Sequence, residues 1–403
     1  MRSLVLILLI FSLTSGRTSS QDGTNWRGPE SNGVYSEIGL MNGWSAEGPQ
    51  VLWYYNRLGG GYSSPVFASD KIYLTGMEGT TGYLYCLSSN GKLLWKKTYG
   101  PEWSESYPGS RTSPKIVGGK VYMMSARGGL VCMDAGNGNI LWSKDLLKDF
   151  GGKNISWGMT ENMVVYGDKI ICTPGDTRNN IIALNRHDGS LIWSSRGKGE
   201  NSAYCSPLFI KHNGKALIIT HTANNILGLD ADNGNLLWSY PHTNQYSVHA
   251  NTPIYSNGSV YCFSGYGRGG VKLKLSDDGS SITKEWTNRT MDSRFGGAVM
   301  VNGFIYGSGD YNREWQCIDW RTGKQVHTST VVGKGTVIYA DGKLFCYSER
   351  GELAMMRPLS DRFELLGKAR VGMGSGPHWT HPVIHESILY IRHGNTLIAY
   401  KIK

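Results

Sequence analysis

Aromatic, guanidinium, imidazole and carboxylate side chains recur in the short irregular segments between strand-like runs of this chain. Tyr62, Arg111, Trp157, Tyr204, Asn251, Arg294, His378 and Trp379 pair flat apolar faces with forked donors and amide groups. Such a set suits the oxygens and ring of a sugar, a uronate or a quinone. Glu161, His249 and His381 could each accept a proton, given a suitably adjusted pKa. His378 and His381 in PHWTH have a ligand-like spacing, but they fall on a loop or strand and no third ligand accompanies them, so no metal is assigned. The glycine-rich stretches GYGRGG and SGDYNREW precede no helix, which argues against a phosphate cradle at a helix terminus.

What must position these residues is a repeat of about 45 residues, a period typical of propellers. One unit, SPKIVGGKVYMMSARGGLVCMDAGNGNILWSKDL from Ser113 to Leu146, reads strand, Gly-Gly turn, strand, polar loop, strand, Asn-Gly turn and strand. Equivalent units begin at Ser64, Glu161, Ser206, Thr252, Gly297 and Gly335. Their last strands carry Trp95, Trp142, Trp193, Trp238 and Trp286, with Val326 and Leu365 near that place in the sixth and seventh units. The indole is expected to pack between neighbouring blades.

His381 to Lys403 supplies three further strands and stops, whereas PQVLWYYNRL (Pro49 to Leu58) reads as an unpaired fourth strand containing Trp53. Joining the two would finish an eighth blade and remove both open sheet edges. The expected fold is therefore all-β, an eight-bladed β-propeller of four-stranded antiparallel blades closed by the N-terminal strand. Residues 49–403 form the propeller, 21–48 an extended segment, and 1–20 a secretion signal with Arg2 before the apolar run Leu4 to Phe11. No cysteine stands near that signal to carry a lipid, and no later segment is apolar enough to span a bilayer, so a periplasmic or secreted protein is expected.

In an up-and-down blade the turns alternate between two faces. The hairpin side reads SDK, GGK, GDK, SNG and DNG, ordinary turn chemistry. The opposite rim collects the connections between blades, with every candidate residue named above, and receives Arg127, Asp176, Arg178, His221, Arg268, Asp310, Arg313 and Arg350 from within the blades. Loops held by a rigid scaffold are where binding residues gather, so this rim is the expected ligand funnel.

A formal charge of +10 permits an acidic partner such as a polyanionic glycan or a membrane surface. Its basic residues form no run of five or six, which argues against nucleic acid. The seven cysteines show no Cys-x-x-Cys and no adjacent pair, and nearly all sit inside strand-like runs as small apolar residues.

LDADNGNLLW (Leu229 to Trp238), MDAGNGNILW (Met133 to Trp142) and LNRHDGSLIW (Leu184 to Trp193) resemble the repeat of pyrroloquinoline-quinone (PQQ) type propellers, and NWRGPESNGV and GGGYSSPV resemble a bacterial secreted branch of them, related to BamB. The resemblance implies one of two functions. The first is a binding or scaffold protein for a glycan, a polar small molecule, or a periplasmic or outer-membrane protein, acting as a monomer without a cofactor. The second is a PQQ- and Ca²⁺-dependent oxidoreductase acting on an alcohol, polyol or sugar, although such enzymes carry two adjacent disulfide-bonded cysteines that this chain lacks.

Overall fold

The computed structural model describes residues 23–403. The expected secretion signal lies outside the described residues. Thirty-two strands pair into eight separate four-stranded antiparallel sheets. The second blade shows why the repeat folds this way. Lys115–Val117 and Lys120–Met124 meet across Gly118 and Gly119, both at positive φ as a tight two-residue hairpin requires. Gly129–Asp134 and Ile140–Asp145 complete the sheet.

A one-residue bulge interrupts the pairing of the two outermost strands in all eight blades. A bulge re-aims the side chain that follows it, and here that residue is Trp53, Trp95, Trp142, Trp193, Trp238 or Trp286. Five of these indoles lie on the turn glycine of the next blade: Trp53 on Gly91, Trp95 on Gly138, Trp142 on Gly189, Trp193 on Gly234 and Trp286 on Gly323. Trp142 and Trp286 also donate their indole N–H to backbone carbonyls of that blade, at Arg186 and Trp320, both at 3.1 Å. The expected packing of indoles between blades is therefore present.

In the sixth and seventh blades the bulge moves the equivalent position to His327 and Gly367, one and two residues beyond Val326 and Leu365. Gly367 has no side chain to contribute, and Trp44 of the N-terminal segment lies against it instead.

Val51–Tyr55 forms the outermost strand of the last blade, paired with Thr396–Lys401. The buried guanidinium of Arg392 fastens this blade to the first. Its Nε donates to Gly394 O at 2.9 Å, Nη1 to Ser63 and to Thr75 O at 2.7 Å, and Nη2 to Gly59 O at 3.0 Å. Nearer the axis a belt of side chains links successive blades. Ser64 N–H donates to Ser113 Oγ, Ser113 N–H to Asn162 Oδ1 and Asn162 N–H to Ser206 Oγ, at 2.7 to 3.0 Å.

The N-terminal segment does more than lead into this ring. Gly23 and Thr24 bond to the innermost strands of the second and first blades, at Ile116 O and Phe67 O. Arg27, only 1% exposed, crosses to the sixth blade and donates to Ala298 O at 2.6 Å. Tyr35 then pairs with Tyr339 of the seventh blade, Leu40 N–H donates to Asp341, and Gln50 O accepts from Lys401 at the eighth. Residues 23–35 thus occupy the bore, and residues 36–50 run outward beneath the seventh blade.

Candidate functional site

The connections between blades converge because each first strand is innermost. At their centre stands Trp379, whose ring lies 5.2 Å from Tyr62, 4.9 Å from Tyr107 and 5.2 Å from Phe295. These partners come from the loops before the first, second and sixth blades, so Trp379 spans the mouth of the bore. Two residues further on, His381 meets Trp26 of the N-terminal segment edge-on, and its Nε2 bonds to Phe295 O at 3.0 Å. The bore is stopped from above by Trp379 and from within by Trp26. A cavity of about 160 Å³ remains beside the plug, lined by Asn25, Trp26 and the innermost strands of the second to fourth blades.

The arginines divide by partner. Arg294 pairs with Asp310 at 3.1 Å and Glu349 at 3.5 Å, with Lys334 bridging the same two acids, and it lies over Tyr266 and Phe295. Arg127 pairs with Glu105 and stacks on Trp103 at 5.0 Å. Arg111 sits between Tyr62 and Trp103, at 5.7 and 6.0 Å, and among the described residues donates only to the carbonyls of Ser106 and Tyr107. Trp157 and Tyr204 pack together at 6.1 Å, and Tyr204 Oη accepts from Trp157 N–H.

The candidate proton acceptors lie deeper. Glu161 is buried with Oε2 accepting from Thr173 N–H at 3.0 Å and Oε1 unpartnered, and burial pushes its pKa up to about 8. It lines a small void of about 10 Å³ together with His221, Cys205 and Ser202. His249 stacks on His221 at 3.8 Å and 9° from parallel, with Nδ1 on Ser264 Oγ and Nε2 on Ala223 O. Burial lowers the pKa of His249 to about 4 and that of His381 to about 3.

Asn251 is committed to packing, donating to Ser293 O at 2.6 Å and accepting from Gly297 N–H at 3.1 Å. His378 stacks on His393 at 3.7 Å and bonds through Nδ1 to Tyr347 Oη. The structure thus joins Tyr62, Arg111 and Trp379 directly, with Arg294 next to them through Phe295. His249, Asn251 and His378 engage neighbours of their own.

Three features escape sequence spacing. Tyr107 and Phe295 complete the aromatic floor. Trp26 and Arg27 fill the bore, and the only sequence hint was their place in the NWRGPE head. His242 joins His221 and His249, so that one nitrogen from each lies within 4.8 Å of the others. The near-parallel planes of His221 and His249 keep their in-plane lone pairs from converging on one ion, and His221 Nε2 is already engaged with His242 O at 2.8 Å.

A sequence profile described as outer membrane protein assembly factor BamB matches residues 80–329. The chain belongs to this family. A curated relative, BamB of Salmonella typhimurium, is 25% identical over 138 residues, which are 33% of this chain and 31% of the relative. The chain therefore spans about a third of the length of this curated relative. The crystal structure of BamB from Moraxella catarrhalis superposes with a TM-score of 0.64 at 13% identity, over 88% of this chain and 98% of that one. Quinohemoprotein alcohol dehydrogenase from Comamonas testosteroni gives 0.68 at 12% identity, over 96% and 81%. At these identities the superpositions establish the fold alone.

The mouth of this BamB-family propeller does not fit a PQQ and Ca²⁺ pair. The voids beneath it, at Glu161 and at Arg294, hold about 10 Å³ each, against the several hundred a tricyclic ligand needs. Asp310 and Glu349 are spent on Arg294 and Lys334, and all seven cysteines are buried free thiols. Among the described residues no helix is long and apolar enough to cross a membrane.

Proposed function

We propose that this chain is an exported, monomeric, non-catalytic scaffold that docks a protein partner on its inter-blade face. The observation that carries the reading is the shallow, stopped mouth, whose floor is Trp379 with Tyr62, Tyr107 and Phe295 and whose rim is arginine-rich. Tryptophan, tyrosine and arginine are the residues that dominate binding energy at protein interfaces, and a floor without depth favours a broad contact over an enclosed small molecule. Tyr107, Tyr246 and Tyr311 stand 51%, 52% and 63% exposed on this rim. Membership of a family described by an assembly factor points the same way.

The test places photoreactive benzoylphenylalanine at Tyr107, at Tyr311 and, on the hairpin side, at Leu93, in cells that make the protein. A discrete protein adduct from the first two positions, lost on Trp379→Ala and missing from Leu93, is expected. Adducts to polysaccharide would instead favour a glycan ligand. Dye reduction by the purified protein with PQQ, Ca²⁺ and an alcohol would overturn the non-catalytic reading.

A further inference from the structure

We infer that Arg111 is a carboxylate-binding subsite, and that the docked partner presents an aspartate or glutamate side chain to it. This inference rests on the docking reading above. The guanidinium is held rigidly: Nη2 donates to Ser106 O at 3.3 Å and Tyr107 O at 2.9 Å, while the rings of Tyr62 and Trp103 frame it. The indole of Trp103 donates to the same Ser106 carbonyl at 3.0 Å, so the loop between the first and second blades is shaped around this side chain. Nε and Nη1 make no hydrogen bond to the described residues, and Nε is buried.

Among the described residues no carboxylate forms an ion pair with Arg111, and Glu102 offsets its charge only at a distance. Glu102 spends Oε1 on Tyr99 Oη at 2.6 Å and Oε2 on the N–H groups of Trp103 and Ala126, both at 3.1 Å. Arg127 and Arg294 on the same face each have a carboxylate of their own. Burial accordingly lowers the pKa of Arg111. A cation taken partly out of water without a directly paired counter-charge is costly, and an incoming anion repays that cost. One planar guanidinium between aromatic walls matches one planar carboxylate, and Tyr107 and Trp379 offer flat apolar contact to the residue beside it.

The test uses the purified full chain and three probes: the peptide acetyl-Tyr-Glu-Tyr-Glu-amide, its Gln counterpart, and sodium glucuronate. Binding is followed by calorimetry and by the indole NMR signals of the protein. The Glu peptide is expected to bind about tenfold more tightly than the Gln peptide, the scale of a charge-assisted hydrogen bond. Arg111→Gln should erase that ratio and Arg111→Lys should keep part of it. The peptide comparison on the wild-type protein stands even if a variant folds poorly. Equal binding of the two peptides, or no binding of either at millimolar concentration, overturns the subsite while leaving the crosslinks at Tyr107 to decide the docking reading. Glucuronate binding more tightly than the Glu peptide overturns the assignment to a protein side chain.

Discussion

The ring of Trp26 meets the imidazole of His381 edge-on, 5.3 Å between centroids and 78° apart. This contact joins a residue near the start of the described chain to the connection that leads into the last blade. It makes the plug part of the ring's packing, alongside the bond from Arg27 to Ala298 O. Trp26→Ala should therefore lower stability by about 2 kcal/mol, less than for a fully enclosed indole because Trp26 is half-buried. Urea denaturation followed by far-ultraviolet circular dichroism measures this, and the strand signal of the native protein should stay unchanged.

Arg392 offers a sharper case. It is fully buried, has no carboxylate partner among the described residues, and donates to main-chain oxygens of both the eighth and the first blade. Burial lowers its pKa to about 10, so it stays charged under ordinary conditions. Arg392→Met would strand several buried carbonyls and is expected to cost about 3 kcal/mol or more. Arg392→Lys should be nearly as damaging, because an ammonium cannot reach three separated acceptors as a fork does. Chemical denaturation of both variants reads the loss; a change under 1 kcal/mol for either would contradict the role.

Acid should weaken the fold through its buried imidazoles. The pKa values of His249 and His242 are lowered by burial to about 4 and about 3, and that of His221 is lowered well below its ordinary value by burial and by its histidine neighbours. The unfolded chain binds these protons near pH 6.5 and the folded chain does not. Their contribution is therefore complete above pH 6.5 and is lost as the pH falls toward 4. A urea midpoint measured from pH 7.5 to 4 should fall across that window, and His249→Gln should flatten the slope.

Glu161 should behave in the opposite sense. Its carboxyl is raised by burial to about 8, so its contribution is complete below pH 4.5 and declines as the pH rises through 8. Glu161→Gln keeps the shape and removes the charge, and should gain stability over the wild type by about 1 kcal/mol for each pH unit between 5 and 8. An unchanged difference across that range would show that the chamber stabilises the charge.

The indole contacts predict a graded series. Trp193 is 7% exposed and donates to Ala231 O at 3.3 Å, so Trp193→Ala should cost about 3–5 kcal/mol. Gly189→Ala should also destabilise, since Gly189 has a φ of 74° and an added Cβ would lie 2.9 Å from the Trp142 ring. Thermal melts of the two variants give the comparison.

The repeat was legible because turns, alternation and the terminal tryptophan are local signals, each fixed by backbone geometry within a few residues. Closure by Val51–Tyr55 was legible by counting strands, since an incomplete sheet leaves open edges. The bulge was not: it inserts one residue without a compositional mark, which is why Val326 stood where His327 packs. At the site, Tyr62, Arg111 and Trp379 were recognisable from residue type and loop position. Their company with Tyr107 and Phe295 depends on how far each loop leans over the axis, which no spacing encodes. The stacking of His221 on His249 and the plug at Trp26 are contacts between distant segments, and they follow from the assembled ring alone.

Because the outermost strand of the last blade is Val51–Tyr55, its hydrogen-bonding partner Thr396–Lys401 is synthesised after every other strand of the ring. A growing polypeptide can finish the first seven sheets one after another as it emerges, yet the early strand must wait unsatisfied until Thr396–Lys401 arrives. The slow, vulnerable stage of maturation is then a nearly complete arc in which Val51–Tyr55 has no partner. Chaperones or proteases that act on this protein would meet it at that gap.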